Sequence, residues 1–167
     1  MRLLPPHPAG TVVTVGTFDG VHLGHLGVLH EIVARARSAD RLSVLVTFEP
    51  HPLEVVNPQA APLLLTSPPE RREVLAVTGL DYAVFLRFDR QLAEFSPERF
   101  GREVLIGRCG MRDLVIGHDH EHGVVEPRFG GGIFEVDRTR RFPRGRVRRG
   151  LQQFAGPRRA TRCLRVA

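Results

Sequence analysis

Four short apolar runs recur along the first 117 positions, at 11–15, 42–48, 82–88 and 113–117. The first, Thr11-Val12-Val13-Thr14-Val15, is β-branched throughout and reads as a buried strand. Between the first two runs, Leu23 to Arg37 sets Leu26, Leu29, Ile32, Val33 and Ala36 at the spacing of an amphipathic helix. Ser67-Pro68-Pro69-Glu70 opens like a helix, with a Ser cap, Pro in the first turn and Glu at the third helical position. That helix is expected to end near Thr78-Gly79. Ser96-Pro97-Glu98 opens another, running to about Gly107. Strands and helices alternating in this way restrict the chain to parallel βαβ units. The expectation is a single α/β domain with a Rossmann-like, doubly wound parallel sheet. Ligands of such sheets lie beyond the carboxyl ends of the strands, which directs attention to the loops after the first, second and fourth runs.

Beyond Gly123 the pattern loosens. Ile133 to Val136 reads as a fifth strand, Val147 to Leu164 as a helix, and Glu49 to Pro62 as a Pro-rich loop. No run approaches the ~20 apolar residues needed to cross a bilayer. No secretory signal opens the chain, and Cys109 and Cys163 fit neither a disulfide framework nor a metal site, so a cytoplasmic protein is expected.

The formal charge of +6 is unevenly placed. All 24 basic residues are arginine; eleven lie from Arg138 onward, where there is no Asp or Glu. Residues 1–137 therefore carry a net of −5, and 138–167 carry +11. The expected division is an α/β domain over 1–137 followed by an Arg-rich segment over 138–167.

The sharpest chemical signal is Gly16-Thr17-Phe18-Asp19-Gly20-Val21-His22-Leu23-Gly24-His25, at the first strand–helix junction. Its glycines let the main chain approach an anion, and the helix N-terminus favours phosphate. His22 and His25, three apart, project from one face, where two imidazoles can stabilise charge on a breaking phosphoryl bond. The segment lacks the Gly-Lys-Ser/Thr ending of a P-loop. His118, His120 and His122 would share one face if extended, a conceivable transition-metal arrangement. With no supporting partners for the imidazoles in view, no metal site is assigned.

Gly16 to His25 resembles the first signature of the HIGH-type nucleotidyltransferases, specifically bacterial FAD synthetases (FMN adenylyltransferases). Thr47-Phe48-Glu49-Pro50-His51-Pro52, then Leu64-Leu65-Thr66, then Val115-Ile116-Gly117-His118-Asp119-His120 follow in that family's order. The resemblance covers about 11–123 and implies a nucleotidyltransferase-type fold that transfers AMP from ATP to FMN, with Mg²⁺ accompanying the ATP. It implies that His22 and His25 contact the ATP phosphates, and that Gly16, Phe18, Asp19 and Gly24 belong to the ATP pocket. It further implies that Phe48, Pro50 and Pro52 line the flavin side, with Asp119 near the flavin or the reacting phosphates.

Pro143 to Leu151 stands where the family carries a serine-rich SSxxIRxxL signature. Arg148 inherits its phosphate-binding arginine, while Pro143 and Arg144 replace the two serines. Lost hydroxyl contacts predict weakened catalysis, by about 1–3 kcal/mol each. The chain stops at Ala167, where most relatives continue into a riboflavin kinase barrel, so no kinase activity is expected of it. Two alternatives stay open: a related enzyme with another phosphate acceptor, or a weakened fold whose Arg tail holds nucleic acid by its backbone alone. A solvated tail is the plainer expectation than nucleic-acid binding, and a monomer or weak oligomer is expected.

Overall fold

A computed structural model describes residues 2–117, 132–136 and 160–166. The elements are β1 (Thr11–Val15), α1 (Leu23–Ser38), β2 (Leu42–Glu49), α2 (Pro52–Val56), α3 (Pro68–Ala76), β3 (Tyr82–Arg87), α4 (Arg90–Ala93), α5 (Pro97–Phe100), β4 (Met111–Gly117), β5 (Gly132–Val136) and β6 (Arg162–Val166). They form a six-stranded, wholly parallel sheet in the order β5-β4-β1-β2-β3-β6. The expected α/β architecture is therefore present, with strands one to five as anticipated. The order reverses at β1, which lies between β2 and β4, so the loop leaving β1 opens into the crevice of a doubly wound sheet.

Strand alternation divides the core into two layers. Val12, Leu45, Ala83, Phe85 and Val115 face α1 and α3, meeting Leu29, Ile32, Val33 and Leu75. Val13, Val44, Val46, Val84 and Leu114 point the other way, onto Val104, Leu105 and Met111. Both faces are covered, which is why the strands read as continuous apolar runs.

The helix starts follow their sequence signals. Glu70 accepts from the Ser67 N–H (2.8 Å) and from its hydroxyl, and Ser96 Oγ accepts from Arg99 N–H (3.2 Å). The helix opened by Ser96 winds on past α5 as a wider turn over Gly101–Arg108, where the Cys109 N–H reaches back five residues to the Val104 carbonyl (3.0 Å). Two expectations need correction. The segment 49–62 is not simply a loop, since it contains α2 and a tight 3₁₀ turn at Pro58–Ala60. Residues 162–164 do not end a helix but lie in β6, paired with β3 from Tyr82↔Arg162 to Leu86↔Val166. Arg162, Cys163, Leu164, Arg165 and Val166 suit a helix on one turn's spacing, but the bare edge of β3 offers a full row of backbone partners. The preceding part of that predicted helix, 147–159, lies outside the described residues.

Candidate active site

The loop from β1 to α1 reaches its shape through unusual backbone angles. Phe18 (φ 49°), Gly20 (φ 67°) and Val21 (φ 35°) all lie in the left-handed region. For Phe18 and Val21 this is strained, at about 1–3 kcal/mol each, and survives only where the surroundings impose it. What imposes it comes from the segment before α3. The Asp19 carboxylate accepts from Leu65 N–H (2.6 Å), Thr66 N–H (2.9 Å) and Thr66 Oγ1–H (2.7 Å). Thr66 Oγ1 in turn accepts from Gly20 N–H (3.2 Å). Partial burial opposes ionisation of Asp19, but these bonds, led by the Leu65 N–H and aided by the Arg71 charge, hold its carboxyl below the usual aspartate value.

Arg71, on α3, is buried to 3% exposure. It donates from Nη1 to the Thr17 carbonyl (3.1 Å) and from Nη2 to the Phe48 carbonyl (3.0 Å), with its guanidinium carbon 5.5 Å from the centre of the Phe85 ring. Burial pushes its pKa down from the usual arginine value, opposed by the charges of Glu49 and Asp19. Thr47 Oγ1–H also reaches the Thr17 carbonyl, at 3.0 Å.

The two histidines of the first signature are brought together. Their rings stack with centroids 3.8 Å apart, His22 exposed and His25 half-buried, and Phe18 lies 4.6 Å from His25. Gly24 makes this possible, because a Cβ there would come within 3.1 Å of the His22 ring. His22 also starts α1, its carbonyl accepting from Leu26 N–H (3.0 Å). The imidazoles therefore lie at the positive end of a sixteen-residue helix, on the carboxyl side of the sheet.

The remaining predicted residues take varied places. The N–H of Gly16 goes to the Val46 carbonyl (3.1 Å) and that of Gly20 to Thr66, so these two donors shape the loop. Phe18 is buried in the core beneath the histidines. Phe48 is half-buried against Phe88 and Phe100, 5.4 and 6.0 Å away between ring centres. Pro52 begins α2, and Pro50 lines an open cleft of about 730 Å³ with Glu49, His51, Arg71, Phe85 and Arg165. Asp119 and Arg148, and with them His118, His120 and His122, lie outside the described residues. Among the described residues no three His, Cys, Asp or Glu side chains gather as metal ligands, and no helix is long and apolar enough to cross a membrane.

Comparison with known proteins joins these features to one family. The family model described as FAD synthetase matches residues 4–127, the whole stretch from the N-terminal segment through β4. The chain belongs to the FAD synthetase family. It is 35% identical over 114 residues to the bifunctional riboflavin kinase/FMN adenylyltransferase of Escherichia coli K12, a match covering 68% of this chain and 36% of that protein. The Pseudomonas fluorescens protein of the same description is 33% identical over 120 residues, 72% of this chain and 38% of the relative. A putative enzyme of this description from Geobacillus thermodenitrificans is 35% identical over 114 residues, covering 68% and 61%. The matched part thus spans little more than a third of the first two relatives. Among solved structures, one titled a macrolide-efflux protein from Streptococcus pneumoniae superposes with a TM-score of 0.67 at 26% identity, covering 78% of this chain and 47% of that one. For this FAD synthetase domain, the three family motifs that fall within the described residues meet around the carboxyl ends of β1 and β2.

Arg71 is the site residue that the sequence reading missed. Its signal was present: it precedes the fully buried Leu75 by four residues, on the same helix face.

Proposed function

We propose that this domain transfers AMP from ATP to the phosphate of FMN. An FMN phosphate oxygen attacks the α-phosphorus in line, the bond from that phosphorus to the bridging oxygen breaks, and pyrophosphate leaves with FAD as product. Mg²⁺ is part of the substrate on this reading, arriving on the ATP phosphates. His22, His25 and the start of α1 face the developing charge, and Arg148 joins them by its place in the family's last motif. The cleft beside Pro50 supplies the acceptor side; a wall of Pro50, Phe85 and His51 suits a flat ring system with a charged tail. The reading includes a cytoplasmic enzyme acting as a monomer or weak oligomer, with catalysis slowed by the missing serine hydroxyls.

The observation that carries the proposal is the stacked His22–His25 pair at the α1 terminus, beside the switch point of the sheet. Incubation with FMN and Mg-ATP, following FAD and pyrophosphate, tests it. The wild-type chain is expected to form both in equal amounts. His22→Ala is expected to slow the reaction by about 10²–10³, the usual effect of removing one group that stabilises transition-state charge. Absence of FAD from concentrated wild-type protein overturns the reading.

A further inference from the structure

We propose that Arg71 is a positioning residue that fixes the nucleotide loop and the acceptor loop to one another through their main-chain carbonyls, so that both ligands depend on one side chain. The proposal rests on the adenylyl-transfer reading for the identity of the ligands. Arg71 occupies a core position on α3, one turn before fully buried Leu75, where an apolar residue would fill the space without desolvating a charge. Its two terminal nitrogens go to two main-chain carbonyls instead. One belongs to Thr17, immediately before left-handed Phe18; the other belongs to Phe48, immediately before cleft-lining Glu49 and Pro50. The planar fork of arginine can hold both carbonyls at once, which a lysine ammonium on a single stem does less well.

The neighbouring contacts share this arrangement. Thr47 Oγ1–H donates to the same Thr17 carbonyl, and Arg72, the next residue of α3, pairs with Glu49. The leader of α3 catches Asp19 through Leu65 and Thr66. Residues 65–72 thus grip the first loop on either side of Phe18 and the second loop at its root. Phe18 carries the position of its own backbone to the histidines, since its ring contacts that of His25. Release of the Thr17 carbonyl would turn the Phe18 ring and displace the His25 imidazole, while release of Phe48 would shift the cleft wall.

The test compares wild type with Arg71→Met and Arg71→Lys. Dissociation constants are measured for Mg-ATP alone and FMN alone, together with histidine ring signals in ¹H–¹³C NMR spectra. Arg71→Met is expected to keep wild-type secondary structure by circular dichroism, to weaken both ligands together by on the order of tenfold, and to move the His22 and His25 signals but not that of His7. Arg71→Lys is expected to fall between. A folded Arg71→Met whose two affinities stay within about twofold of wild type, or that loses one ligand only, overturns the proposal. Should Arg71→Met fail to fold, Thr47→Val takes its place. It removes the second bond to the Thr17 carbonyl and is expected to weaken both ligands by about threefold; no change in either overturns the proposal. Wild-type protein that binds neither ligand overturns the adenylyl-transfer reading, and the histidine signals then decide the positioning role by themselves.

Discussion

The loops that leave β1 and β2 are held in shape by opposite means. The first depends on distant residues: the Asp19 carboxylate is met by donors 46 and 47 positions further along the chain, and the Thr17 carbonyl by Arg71, 54 positions away. The second is anchored at its root by Arg71 and Arg72, but beyond Glu49 its shape comes from its own neighbours. Pro50 and Pro52 stiffen it, His51 Nδ1 accepts from Leu53 N–H (3.2 Å), and Glu54 accepts from His51 N–H (3.2 Å), closing a cap on α2. A loop built from local contacts keeps its form wherever it is placed. A loop braced from afar can hold left-handed residues such as Phe18, but only while the rest of the fold stands.

That contrast can be broken at its strongest point first. Asp19→Ala leaves two backbone donors and one hydroxyl without their acceptor, and is expected to cost about 2–3 kcal/mol in urea unfolding. The same substitution should weaken nucleotide binding, which would tie the brace to the site. Gly24→Ala separates stability from function. Alanine suits the first turn of α1 at least as well as glycine, yet its Cβ would crowd the His22 ring, so FAD formation is expected to fall about tenfold with no loss of melting temperature. In stability, His51→Ala removes the local cap on α2 and should cost about 0.5–1 kcal/mol, with the first loop undisturbed.

The smallest effect is one of pH. The Asp19 carboxyl is held below its ordinary value of 3.8, so its contribution is fully present above that value and fades as pH falls through the lower folded value. The stability gap between wild type and Asp19→Asn should therefore be level from about pH 5 upward and close in more acid solution. A gap that widened with acidification would mean that Asp19 is not braced as the ionised form.

The same distinction explains what was legible in the sequence. Strands β1 to β4 show as apolar runs because both faces of the sheet are covered, and α3 and α5 announce themselves through Ser-Pro starts. The His22–His25 pair is visible because three-residue spacing at a helix start is a local fact. Long-range contacts leave no such trace. Asp19 reads as part of a nucleotide pocket, yet its carboxylate serves as a brace to Leu65 and Thr66. Phe18 reads as a pocket residue, and the sequence does not show that its buried ring also supports His25 from the core. Arg71 sits one turn before Leu75 on the same helix face, but in an arginine-rich chain that spacing alone does not separate it from a solvated charge; its packing does. The segment at 162–166 misleads for a related reason: its pairing with β3 is decided by residues eighty positions earlier in the chain.

That last pairing bears on how the protein is made. Glu49, at the mouth of the cleft, is shared between Arg72 and Arg165, the latter at 3.0 Å on β6. During synthesis the outer edge of β3, Tyr82 to Leu86, therefore leaves the ribosome long before its cover does. An uncovered, wholly apolar strand edge is a template for pairing with other chains. Truncation ahead of residue 160 is expected to leave this edge bare and to raise self-association, which light scattering of the shortened chain would check. Residues 162–166 replace that apolar edge with one carrying Arg162 and Arg165, and the same strand brings Arg165 to Glu49 at the cleft wall.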